Sequence, residues 1–113
     1  MDTLTRYRAA VKQALTEWVE YIRRANTPGI ETETAFDDER GQYLLVETGW
    51  HDRRRVRNEY IHVRIRNGKI WIEEDGTEDG IANELVRAGV PKADIVLAFQ
   101  PPELRHLTDF AVA

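Results

Sequence analysis

The pair Asn67-Gly68 constrains this chain more tightly than any other feature. A two-residue type I′ turn needs positive φ at both central positions, and asparagine followed by glycine supplies it. Fixing the turn fixes the register of the strands on either side. Arg66 then faces Lys69, Ile65 faces Ile70, Arg64 faces Trp71, Val63 faces Ile72 and His62 faces Glu73. That pairing sorts the side chains cleanly. Ile61, Val63, Ile65, Ile70 and Ile72 share one face, suited to a core. Tyr60, His62, Arg64, Arg66, Lys69, Trp71 and Glu73 share the other, polar and cationic.

A hairpin with one apolar face needs a cover. Residues 3–25 supply one, because Leu4, Tyr7, Val11, Ala14, Trp18, Tyr21 and Ala25 recur at spacings of three and four. Ala10, Leu15, Val19 and Ile22 widen the stripe beyond a coiled-coil seam. Such a stripe suits a partner-binding or dimerising helix, but more commonly lies on the domain's own sheet. On that reading Trp18→Ala costs about 3–5 kcal/mol, as for a buried aromatic. Asp2 or Thr3 caps the start, and Asn26-Thr27-Pro28-Gly29 stops the helix.

Ile30–Phe36 is a weak strand signal and Gln42–Trp50 a stronger one, joined by the polar turn 37–41. Thr77 is the expected cap of a second, shorter helix, with Glu78 and Asp79 in its first turn. Ile81, Leu85 and Ala88 form its inner face, and Gly89 with Pro91 ends it. Ile95–Phe99 is a buried-strand candidate, Glu103–Leu107 a helical turn and Phe110–Ala113 a final short strand. The expected fold is α+β, one domain over residues 1–113. An antiparallel meander packs against the long first helix, and the shorter helix follows the Asn67-Gly68 hairpin.

A chain of 113 residues buries enough surface for a core without staples, and it contains no cysteine. No apolar run approaches the roughly 18 residues that a membrane span needs, so no membrane role and a cytoplasmic location are expected. The net charge of −4 argues against broad binding of nucleic acid. Charge is nevertheless unevenly placed. Glu31, Glu33, Asp37, Asp38 and Glu39 form one acidic block, and Glu73, Glu74, Asp75, Glu78 and Asp79 another. Between them, over residues 53–69, Arg53, Arg54, Arg55, Arg57, Arg64, Arg66 and Lys69 are opposed only by Glu59.

Catalytic constellations are hard to find. Serine and cysteine are absent, which removes the commonest nucleophiles. His51 stands beside Asp52 in a turn, His62 is expected to pair with Glu73, and His106 lies near the end of the sequence. A cross-strand His–Glu pair is half of an acid–base site, but more often a surface ion pair. The histidines lack metal-ligand spacing, and the acidic run 73–79 lacks that of a calcium loop. No enzyme activity, cofactor or metal is expected. The best binding candidate is basic. Arg53, Arg54, Arg55 and Arg57, with Arg64, Arg66, Lys69 and Trp71, compose a surface suited to phosphates or an acidic protein partner. The competing reading is a solvated strand edge, where charge discourages aggregation.

Contiguous stretches resemble one family. They are Gly49-Trp50-His51, Arg54-Arg55-Val56, Ile61-His62-Val63-Arg64-Ile65 and Gly68-Lys69-Ile70-Trp71-Ile72. Asp75-Gly76-Thr77-Glu78, Gly80-Ile81-Ala82-Asn83-Glu84-Leu85, Gly89-Val90-Pro91-Lys92, Asp94–Phe99 and Phe110–Ala113 extend the match over nearly the whole chain. Together they are similar to the XisI family, known from cyanobacteria as controlling factors for excision of the fdxN DNA element. The resemblance implies a non-enzymatic accessory role. A separate site-specific recombinase cuts and rejoins the DNA, and a companion protein, XisH, acts with XisI. It therefore implies an XisH-like partner, and a place in a recombinase complex. A direct DNA-binding module using Arg53–Arg57 is the alternative, and a homodimer remains an option.

Overall fold

The computed structural model describes residues 2–113. Helix α1 spans Thr3–Ala25, and strands β1 (Ile30–Asp37), β2 (Gln42–His51), β3 (Arg54–Arg66) and β4 (Lys69–Asp75) follow. Helix α2 (Ile81–Arg87), a 3-10 turn at Lys92–Asp94, strand β5 (Ile95–Leu97) and a second 3-10 turn at Pro102–Leu107 complete the order. The sheet runs β1-β2-β3-β4-β5. Its first four strands form the expected antiparallel meander. β5 joins parallel to β4, the α2 crossover making that direction possible. No helix among the described residues is long and apolar enough to cross a membrane.

Asp2 caps α1 as expected, its carboxylate accepting the Thr5 N–H at 2.7 Å. Tyr7, Val11, Ala14, Leu15 and Val19 are buried against the sheet face carrying Tyr43, Leu45, Ile61, Val63, Ile65, Ile70 and Ile72. The stripe holds at its centre and fails at its ends. Leu4 is 41% exposed and Tyr21 63% exposed. The physical cause is drift. Leu4, Val11, Trp18 and Ala25 repeat strictly every seven residues, as do Tyr7, Ala14 and Tyr21, and a straight helix rotates such a row by about 20° per heptad. Val11 stays inward while the ends turn away, and Leu15 and Val19 take over.

Trp18 sits at the margin, half-buried between the two helices. Its indole N–H donates to Glu84 of α2 at 2.7 Å, and its ring meets Tyr21 edge-on. Burial pushes the Glu84 carboxyl above its usual range, and the Trp18 hydrogen bond opposes that shift. The buried-aromatic expectation therefore shrinks. Trp18→Ala should cost about 2–3 kcal/mol. Trp18→Phe, which keeps the ring but leaves Glu84 without its donor, should cost about 1 kcal/mol. Urea denaturation of the two variants measures both, and a Trp18→Phe variant as stable as the parent would show that the hydrogen bond contributes nothing.

The hairpin behaves as read for its first four pairs. Asn67 and Gly68 both take positive φ, and Arg66–Lys69, Ile65–Ile70, Arg64–Trp71 and Val63–Ile72 face each other. The fifth pair is wrong. A bulge moves His62 opposite Glu74, and Glu73 instead ion-pairs with Arg64 at 3.7 Å. His62 hydrogen-bonds Gln42 of β2 at 2.7 Å through Nε2. A second bulge lies between Leu45 and Val46 on the other side, where Tyr60 has no partner in β2. Bulges bend and twist a strand. Two of them, flanking residues 60–62, turn Tyr60 away from the outward position expected for it and against the core.

The second helix also begins later than Thr77. Its N-cap is Gly80, so Glu78 and Asp79 precede it. Asp75 organises this corner. One carboxylate oxygen accepts from the Thr77 N–H and hydroxyl, at 3.0 and 2.6 Å, and the other from the Ile81 N–H at 2.8 Å. Ile81, Ala82 and Leu85 face inward, while Ala88 is exposed. Near the end of the chain the final strand reduces to one bridge, between Val96 and Ala111.

Candidate interaction surface

β2 and β3 together build a two-stranded arm. β4 pairs with β3 only from Arg66 back to Ile61, and β1 pairs with β2 only as far as Gly49. Beyond these limits the hairpin continues on its own, through Trp50–Arg55 and His51–Arg54, to a turn at Asp52-Arg53. Asp52 adopts φ 55, a left-handed conformation that aspartate tolerates better than most residues.

Glycines fasten the arm to the body. The Trp50 N–H donates to the Gly29 carbonyl at 3.0 Å. A Cβ on Gly49, whose φ is 151°, would stand 1.9 Å from that same carbonyl oxygen. A Cβ on Gly29 would meet the Trp50 carbonyl at 2.6 Å. Only residues without side chains let the two backbones approach so closely.

The arm carries Arg53, Arg54 and Arg55, and Arg57 stands at its base opposite Thr48; all four are exposed. Arg55 lies over the Trp50 ring, 5.3 Å from its centroid, and Trp50 is 53% exposed. Among the described residues none of these four arginines has a carboxylate within ion-pair distance. Cross-strand pairing sets Arg55 with Trp50 and Arg57 with Thr48, on the sheet face opposite α1.

Arg64, Arg66, Lys69 and Trp71 lie elsewhere. At about 3.3 Å per residue, Arg55 and Arg66 stand roughly 35 Å apart along β3, so the eight residues do not form one surface. The second group is also engaged internally. Arg64 pairs with Glu73, Lys69 bonds the Ala113 carbonyl, and the Trp71 indole donates to the Arg66 carbonyl at 3.1 Å. Arg66 and Arg105 each stack near the Trp71 ring, at 5.6 and 5.8 Å. Sequence reasoning missed Arg105. It is only 9% exposed and donates to the carbonyls of Ala98, Gln100 and Val112, pinning the C-terminal segment. Its one legible signal was an arginine between Leu104 and Leu107.

Reactive groups are not assembled. No group of three or more His, Asp or Glu side chains converges on a possible metal position among the described residues. Tyr60 is half-buried, and its hydroxyl is pushed up, first by burial and then by Glu47, Asp75 and Glu78 nearby. Such surroundings disfavour the phenolate that a tyrosine nucleophile needs.

A model of the family described as XisI protein matches residues 1–112. The chain belongs to the XisI family. Two solved structures agree with that assignment. The fdxN element excision controlling factor XisI from Anabaena variabilis is 38% identical, with a TM-score of 0.86, over 99% of this chain and 100% of that one. A XisI-like protein from the same organism is 36% identical, with a TM-score of 0.90, over 97% and 99%. Among functionally curated proteins, none matches. The fold is therefore the XisI fold, and XisI membership supports a role in excision control.

Proposed function

We propose that this XisI-family chain is a non-enzymatic controlling factor for excision of a DNA element, and that it acts by binding a companion protein of the XisH type. The observation that carries this reading is the arm and its base, where four exposed arginines have no carboxylate partner among the described residues. Exposed charge without a neighbouring countercharge steers association. The solvent-facing side of the sheet favours a protein over DNA. Glu59 interrupts the arginines on β3, and Glu31 and Glu33 line β1, so phosphates approaching broadly would meet carboxylates. A duplex reading has one observation in its favour, since a two-stranded ribbon is of a size to enter the major groove.

Replacing Arg53, Arg54, Arg55 and Arg57 with alanine separates the readings. Binding to the companion protein should weaken at least about tenfold through slower association, with folding unchanged. Retention of the isolated chain on duplex DNA should be negligible at about 0.15 M salt. Tight duplex binding that falls steeply with salt and vanishes in the variant would favour the direct DNA reading instead.

A further inference from the structure

The arm's outer edge is an unfilled strand position. β2 occupies one side of β3 along its length, but β4 occupies the other side only as far as Ile61. The Tyr60 carbonyl accepts from the Gly76 N–H at 2.8 Å, and there the pairing stops. From Arg54 to Glu59 that side has no backbone partner among the described residues, and five of the six side chains are exposed. β1 offers the sheet's other antiparallel edge, and it is guarded. Glu31 and Glu33 line it, and Arg23 donates to the Thr32 carbonyl at 3.0 Å. Acidic side chains on such an edge discourage pairing.

We infer that the free edge of β3 over residues 54–59 takes an extended acidic segment of the partner protein as an added strand; this rests on the partner-binding reading above. Backbone hydrogen bonds would supply affinity and alternate side chains specificity. Arg55 and Arg57 lie on one face of β3, two residues apart, so they select carboxylates at every second position of the incoming strand. Glu59, on the same face, marks where the acids should end.

A second copy fits this edge poorly. Two-fold antiparallel pairing sets residues of the same face against each other. Centred on the arginines, it opposes Arg57 to Arg55 or to itself. Shifted inward to oppose Arg57 to Glu59, it opposes Arg55 to Ile61, whose edge Asp75 already holds.

The test titrates the whole chain against a short fluorescent peptide of alternating glutamate and valine, with hydrogen exchange read at residues 54–59. The peptide should bind and slow amide exchange within that stretch. Arg55→Glu with Arg57→Glu should weaken binding at least about tenfold, and a lysine–valine peptide should recover it on the variant. Equal binding by a peptide of the same charge with prolines in place of the valines, or binding without protection at 54–59, would show charge attraction alone and overturn the added strand. Concentration-dependent dimerisation that protects 54–59 without peptide would assign the edge to a second copy and also overturn it. Wild-type and doubly reversed chains retaining the companion protein equally would sink the edge while leaving the partner-binding reading intact. Failure of the wild-type chain to bind the companion protein at all would sink both.

Discussion

Gly49→Val is expected to destabilise the protein by on the order of 3 kcal/mol or more, the largest effect foreseen for any single substitution. Two costs add. A backbone at φ 151 is strained for any residue with a side chain, which accounts for about 1–3 kcal/mol. The new Cβ would also stand 1.9 Å from the Gly29 carbonyl oxygen, so backbone must move. Moving it separates β1 from β2 where Ile30 pairs with Gly49, and breaks the hydrogen bond from Trp50 to Gly29. Gly68→Ala provides the contrast. Gly68 has positive φ but open space around its missing Cβ, so only a conformational cost of about 1 kcal/mol is due. Guanidinium denaturation of the two variants decides the matter. If Gly49→Val loses no more than Gly68→Ala, the close crossing of the two glycine backbones is not formed in solution.

The consequence for function follows from where the crossing lies. Gly49 and Gly29 hold the base of the arm, so a variant there should swing the arginines away from the position the body gives them. Partner binding should then fall together with stability. Charge substitutions at the exposed arginines should lower binding alone.

How far the sequence was legible depended on whether local chemistry or three-dimensional shape decided each feature. Asn67-Gly68 dictated its own turn and carried the register through Val63–Ile72, because turn geometry acts over a few residues. It lost the register at His62, because bulges answer to how the sheet must bend. The same bend hid the position of Tyr60. The first helix read well because its period is long, yet a seven-residue row could not reveal its own rotation at Leu4 and Tyr21. Thr77 looked like a helix cap by type. Asp75, two residues earlier, serves Ile81 across a loop that no spacing rule describes.

The basic residues teach a related lesson. Alternation correctly set Arg64, Arg66 and Trp71 on one face of the hairpin, but a shared face is not a shared site. The length of β3 separates them from Arg53–Arg57, and Arg105 draws the second group into holding the C-terminal segment. What sequence could not disclose was which arginines were left without a carboxylate beside them. That required knowing that β4 ends at Asp75 while β3 continues back to Arg54.

The second large effect concerns the reaction itself. A controlling factor that does not catalyse should alter how much excision occurs while cutting nothing. The test falls on the hydroxyl groups that strand transfer would need. Serine is absent, and burial, then nearby carboxylates, push the Tyr60 hydroxyl up. Tyr43 is buried and pushed up to about 12, first by burial and then by its 2.8 Å hydrogen bond to Asp38. Tyr7 is buried and bonded to Asp94. Tyr21 is exposed on α1, on the helical side of the sheet and away from the arm's outward arginines.

The decisive measurement is a reconstituted excision assay. Supercoiled plasmid carrying both element ends is incubated with magnesium or manganese, with and without the recombinase and companion protein. The account predicts that the rejoined junction forms only with the recombinase, and that adding this chain changes its yield at least about tenfold. It predicts that the chain alone leaves the plasmid uncut. Nicking or a covalent protein–DNA adduct produced by the chain alone, and lost in Tyr60→Phe, would contradict the account and make this protein an enzyme.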